Sequence, residues 1–179
     1  TFNRCTKLTN VITTDNITTY GAGTFYYCSN LQTFTLSKSI TTIKPSMFYY
    51  CTSLNSIIIP EGVLSIESNA FYYCTNMATI SIPKTVTTIG SYAFYYCRRL
   101  TIITIPEGVT AIGSYAFSHC TGLTNLSLPS TLQTIGSYAF NYCYNLADLE
   151  IPFGVMIIGD NAFSYCIKIP KIDIPGSVT

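Results

Sequence analysis

Charge is scarce in this sequence. Only 9% of its 179 residues are charged, 9 Lys and Arg against 8 Asp and Glu. Nucleic-acid recognition needs a basic face and anionic lipid needs a polybasic patch, and this near-neutral balance supplies neither. No apolar run approaches the ~20 residues that span a bilayer. The expectation is therefore no nucleic-acid partner and no direct membrane insertion by this segment. Nothing at the start reads as a signal peptide, and nothing at the end reads as an apolar anchor.

Catalytic hardware is equally thin. The one histidine is His119, in a slot that otherwise holds tyrosine, so it reads as a drifted tyrosine position and not as a general base. There is no CxxC pair and no Gly-rich phosphate loop after a strand. The expectation is no enzyme, no catalytic residue, no metal and no cofactor.

What is present is a period. Cys5, Cys28, Cys51, Cys74, Cys97, Cys120, Cys143 and Cys166 are all the cysteines, spaced 23 residues apart, and three residues before each stands a phenylalanine, Phe2 to Phe163. A spacing held without insertion means a repeat array. Equivalent residues of stacked coils lie about 5 Å apart with parallel side chains, which disfavours the bent geometry of a disulfide. The cysteines read as a ladder of buried thiols, with disulfide or metal as the alternatives. Buried thiols lack the electropositive exposure of a reactive thiolate.

One copy gives the coil. Ile103-Thr104-Ile105 alternates with period two and makes a short half-buried strand. Pro106 ends it, and Glu107-Gly108 turns the chain. Val109 and Ile112 point inward and Gly113 permits a second bend. Ala116, Phe117, Cys120 and Leu123 follow at helical spacing, which predicts a short helical turn with one apolar stripe. No unit buries its apolar face alone, so neighbours stack in register. The prediction is an α/β repeat solenoid: a right-handed leucine-rich-repeat arc of 23-residue coils, with a parallel β-sheet on the concave face and short helical turns opposite. It forms one domain over 1–179 of about eight coils. Thr1 and Thr179 fall inside repeats, and the expectation is a fragment of a longer array without visible caps. The first two coils are the most divergent, with Thr14 and Ser37 at the proline position and Tyr20 where later copies have isoleucine.

The pattern CxxLxxIxIPxxVxxIGxxAFxxC, carried by Cys97, Leu100, Ile103, Ile105, Pro106, Val109, Ile112, Gly113, Ala116, Phe117 and Cys120, resembles the BspA-like, treponemal-type leucine-rich repeat family over nearly the whole chain. The family occurs in surface proteins of bacteria and some microbial eukaryotes. The resemblance implies a cell-surface or secreted adhesion role with a protein partner, such as a host extracellular-matrix or cell-surface protein, and it supplies no catalytic residues. One departure stands out: the pair before the cysteine, often small or Gly-containing in the family, is Tyr-Tyr in four repeats.

Two surfaces are candidates for binding. Outward positions five and seven residues after each cysteine should line the concave face: Asn10 and Ile12, Thr33 and Thr35, Ser56 and Ile58, Thr79 and Ser81, Ile102 and Thr104, Asn125 and Ser127, Asp148 and Glu150, Lys171 and Asp173. Thr and Ser also simply suit exposed strands. The acidic end could hold Ca²⁺ or a basic partner, or form a solvated edge balanced by Lys171. The second surface is a tyrosine ladder with Tyr26, Tyr49, Tyr72 and Tyr95 outward, rich in contact area, or else packed on itself. A row of alternating charge, Asp15, Lys38, Glu61, Lys84 and Glu107, reads as a register device of small worth. The sequons at Asn16 and Asn125 are short matches in a Thr-rich chain. A structural spacer and self-association through uncapped ends are the alternative functions.

Overall fold

The interior 23-residue units have two short apolar segments, one before the proline and one after it, and each makes a strand. The computed structural model describes residues 1–179 and stacks these units into a parallel β-solenoid. The first strand row comprises β1 (Asn10–Ile12), β2 (Thr33–Thr35), β4 (Ser56–Ile58), β6 (Thr79–Ser81), β8 (Ile102–Thr104) and β10 (Asn125–Ser127). The second comprises β3 (Thr42–Ile43), β5 (Ser65–Ile66), β7 (Thr88–Ile89), β9 (Ala111–Ile112), β11 (Thr134–Ile135) and β12 (Ile157–Ile158). Every pairing is parallel and keeps the sequence period, as in Ser56 opposite Thr79 and Ile66 opposite Ile89. The second row is one six-stranded sheet, whereas the first is three pairs, β1–β2, β4–β6 and β8–β10.

The first row ends before the chain does. Asp148 makes a single bridge to Asn125, and residues 171–173 form no strand. Pro170 removes one donor from the last coil: its counterparts Gln32, Asn55, Ala78, Thr124 and Ala147, though not Thr101, each donate their N–H to the preceding coil, and proline has none to give.

The core is a stack of identical slots. Phe25, Phe48, Phe71, Phe94, Phe117 and Phe140 are fully buried, with adjacent rings parallel and 5.0 Å (Phe94–Phe117) to 5.7 Å (Phe25–Phe48) apart. Burial of each is worth about 1.5–3 kcal/mol. Beside them, each thiol from Cys28 to Cys166 donates to the phenylalanine carbonyl of the preceding coil, at 3.0 Å for Cys28 and 3.2–3.3 Å thereafter. Cys28 through Cys143 are buried, while Cys5 is exposed and Cys166 partly so.

The expected helical turns are absent, since the chain contains no helix. The apolar spacing from Ala116 to Leu123 is real, but it comes from a different backbone. In the coil before it, the N–H groups of Ala93, Tyr95 and Cys97 bond three residues back, to Gly90, Tyr92 and Phe94. The N–H groups between them leave the coil altogether: Tyr92, Phe94 and Tyr96 donate to Ser114, Ala116 and Ser118 of the next coil, at 3.0, 2.7 and 2.9 Å. Such alternation needs two left-handed residues per turn, here Tyr92 (φ 58°) and Tyr96 (φ 62°). An α-helix tolerates neither the left-handed backbone nor the outward-going donors.

The divergent first coils have their own solution. Tyr20, in the isoleucine slot, is buried edge-on to Phe25 and Phe34. Its hydroxyl donates to Thr13 Oγ1 at 3.0 Å and accepts the Ser37 N–H at 3.4 Å, while Ser37 Oγ donates to the Ile17 carbonyl at 2.6 Å. Ser37, the buried polar residue at a missing proline, thus has its partners, as buried polar groups require, while Thr14 is exposed.

Candidate binding surfaces

Period-two alternation puts the middle residue of each first-row strand inward and its flanks outward. All the flanking side chains predicted from the sequence are exposed, from Asn10 and Ile12 in β1 to Asn125 and Ser127 in β10 and on to Asp148, Glu150, Lys171 and Asp173. Three isoleucines stand among them, Ile12, Ile58 and Ile102; Ile58 is 83% exposed. A bare isoleucine on a strand gains nothing in the isolated chain, so this face carries apolar area not used in folding.

A groove runs along this face across the coils. Its first section, about 730 Å³, lies between β6 and β10 and is lined by Ile102, Leu128 and Pro129 with Lys84 and Glu107 at the rim. Glu107, Ser127 and Leu128 are shared with the next section, about 530 Å³, where Asp148, Glu150 and Phe153 join. Glu150 and Phe153 continue into a third, about 420 Å³, at Lys171 and Asp173. A separate depression of about 560 Å³ sits upstream among Phe34, Thr35, Lys38, Ile58 and Glu61. Phe153 was not singled out by the sequence reading, although a signal existed. It occupies the column of Lys38, Glu61, Lys84 and Glu107, the one aromatic in a row of polar residues, and it is 81% exposed.

The charge row does not work through ion pairs. The single ion pair is Lys171 Nζ to Asp173 Oδ1, 2.8 Å. Carboxylates of the row instead accept from the next coil's backbone: Asp15 Oδ1 takes the Lys38 N–H at 2.9 Å, and Glu107 takes the Ser130 N–H and hydroxyl at 3.1 and 3.0 Å. Those bonds from Ser130 hold the Glu107 carboxyl below its usual range. No group of three His, Cys, Asp or Glu side chains is placed to hold a metal.

The opposite face is aromatic. Tyr26, Tyr49, Tyr72 and Tyr95 form one stacked column, with centroids 4.7, 4.4 and 4.8 Å apart. Tyr27, Tyr50, Tyr73, Tyr96, His119, Tyr142 and Tyr165 form a second at 4.2–4.6 Å. Tyr92, Tyr115 and Tyr138 make a third, shorter column at 4.7 Å. His119 therefore does occupy a tyrosine slot. Both members of each Tyr-Tyr pair are half-buried, and each interior ring has its two faces covered by its neighbours in the column. Burial first, then neighbouring phenols, raises Tyr73 to about 12 and pushes Tyr72 higher. Arg98 caps Tyr96 from 4.5 Å, a cation–π contact.

The fully buried thiols are poor nucleophiles here. Burial raises Cys120 to about 12 and drives Cys74 and Cys97 well above the ordinary thiol range. A thiolate is the reactive form, so the buried rungs from Cys74 to Cys120 serve packing.

The family described as BspA type Leucine rich repeat region matches this chain in six copies, over residues 1–100 and 64–179. A leucine-rich repeat protein from Bacteroides ovatus superposes with a TM-score of 0.86 at 30% identity, over 96% of this chain and 46% of its own. The T. pallidum leucine-rich repeat protein gives 0.80 at 30% identity, over 91% of this chain and 72% of its own. The pneumococcal vaccine antigen PcpA gives 0.64 at 22% identity over 96% of this chain and 52% of its own, a likeness of fold. This chain thus spans less than half the length of the B. ovatus protein. No curated protein matches it. No helix is long and apolar enough to cross a membrane.

Proposed function

The chain belongs to the BspA-type leucine-rich repeat family, and from that membership we propose that it is a non-catalytic, protein-binding adhesive region of a microbial surface or secreted protein. The partner is a protein, such as a host extracellular-matrix or cell-surface protein, and the first strand row is the surface that meets it. The right-handed arc with that row on its concave side, expected from the sequence, belongs to the same proposal.

One observation carries the reading. The strand-face side chains are exposed in register on a rigid repeat, and they include bare isoleucines at Ile12, Ile58 and Ile102. Repeat proteins use such extended faces for recognition. The raised thiols and the lone, ring-stacked His119 support the absence of catalysis. The tyrosine columns favour a second, spacer role for the turn face, because their ring faces are already covered by one another.

The test is capture on immobilised extracellular-matrix proteins by the chain and by its Thr33→Glu/Thr79→Glu variant. Both positions are exposed, so the variant keeps the fold. The expected result is at least about a tenfold loss of capture, since introduced charge opposes burial at an interface. Unchanged capture removes the strand face as the binding surface.

A further inference from the structure

The groove changes character along its length. Upstream of β8 its strand-face residues are uncharged, whereas its downstream half meets Asp148 and Glu150, which carry no hydrogen bond and no ion pair. The groove's two lysines do not answer them. Lys171 is closed on its own Asp173 at 2.8 Å, and Lys84 lies in the upstream section beyond Glu107. Asp148 and Glu150 stand on the same side of one extended segment, two residues and so about 6.6 Å apart along it. That backbone spacing is within the span over which one ammonium or guanidinium can hydrogen-bond two flexible carboxylates. Beside them lies the exposed ring of Phe153, which offers a cation the face of an aromatic, and the floor toward Ile102 and Leu128 is apolar.

Resting on the strand-face reading above, we propose that this groove takes an extended basic–aliphatic peptide segment. A cationic side chain lodges between Asp148 and Glu150 against Phe153, and an aliphatic neighbour lies on Ile102 and Leu128. Complementarity of charge decides the occupant: three carboxylates, Asp148, Glu150 and Glu107, line the section with no cation among its lining residues. An acidic segment would be repelled, and a neutral one would leave both free carboxylates partly desolvated. Because these carboxylates are exposed at the rim, the attraction is screened by salt over about 10 Å at 0.1 M.

The experiment uses a fluorescent seven-residue peptide with one arginine flanked by leucines and its twin with neutral citrulline for arginine. Binding is read by anisotropy, with chelator present so that no divalent cation takes part. The arginine peptide should bind about two- to fivefold tighter than the citrulline twin, the scale of exposed charge pairs, and the margin should shrink as salt is raised. In Asp148→Asn/Glu150→Gln, which touches only exposed side chains, the margin should vanish. Phe153→Ser should weaken the arginine peptide more than the twin. Equal binding of the two peptides, or an undiminished margin in the double variant, overturns the proposal. Either failure leaves the strand-face reading intact, because that reading is tested at Thr33 and Thr79 and not at Asp148 or Glu150.

Discussion

The strand face and the turn face repeat with the same period but use it differently. On the turn face each coil sends three backbone N–H groups into the next, and rings stack at 4.2–4.8 Å. The backbone is left-handed twice per coil there, at residue types that ordinarily avoid it, for example Tyr73 and Tyr96. On the strand face the outward side chains vary freely among Thr, Ser, Ile, Asn and acids, and pairing is interrupted between β2 and β4 and between β6 and β8. The difference teaches where folding energy and spare surface reside. A left-handed tyrosine costs about 1–3 kcal/mol, which is offset jointly by a stacked neighbour, about 0.5–1.5 kcal/mol, and by the three inter-coil hydrogen bonds of each turn. The aromatic face is thus committed to holding the coils together, and the strand face is left open.

That contrast can be broken at several points. The largest effect belongs to the core that both faces share: Phe94→Ala should cost about 3–5 kcal/mol in chemical denaturation, because Phe94 is fully buried between Phe71 and Phe117. A loss under about 1 kcal/mol would mean that the slot collapses readily and the rings are not a continuous stack.

Next come two glycines. A Cβ at Gly113, where the chain enters the turn face, would sit 2.5 Å from the Ser91 nitrogen, whereas at Gly62, beside the strand face, the nearest atom is 3.5 Å away. Gly113→Ala should therefore lose about 1–3 kcal/mol by overpacking. Gly62→Ala should stay within about 0.5 kcal/mol. Equal costs in the same denaturation assay would erase the claimed difference in coil-to-coil approach.

The smallest effect is at His119. Burial, and then the charge of Arg98, holds its pKa below the ordinary value, so the folded chain prefers the neutral ring. The folded state binds fewer protons than the unfolded one. Its contribution is complete above the unfolded value, near pH 6.5, and is lost as pH falls through the folded value. The denaturation midpoint should drop slightly between about pH 7 and pH 5, and His119→Tyr, which restores the column, should abolish that drop.

Much of this was legible beforehand, and what was not has physical reasons. The first strand row follows from Ile103-Thr104-Ile105 and its copies, because period-two alternation has one structural meaning, whereas the second row, at Ala111–Ile112 and its copies, is too short to show that alternation. The turn face misled because Ala116, Phe117, Cys120 and Leu123 face one side on an amphipathic helix and also on a chain of three-residue turns. The discriminating signal was faint: Gly23, Asn69 and Asn161 share the slot of Tyr92, and Gly and Asn are the residues that take left-handed backbone readily. Pro170, which withholds a backbone donor in the last coil, was visible as a proline in a row of donor positions. Phe153 was visible as an aromatic in a charged column. The groove itself was not legible, because it depends on where each loop settles beside the next coil.

The division between the faces is tested most directly by scrambling the strand face alone. In a chain carrying Thr79→Ile, Ser81→Thr, Ile102→Thr and Thr104→Ser, the outward residues change while strand propensity is kept. Its unfolding free energy should stay within about 1 kcal/mol of the parent chain. A loss as large as that of Phe94→Ala would contradict the account, because the strand-face side chains would then be holding the coils together.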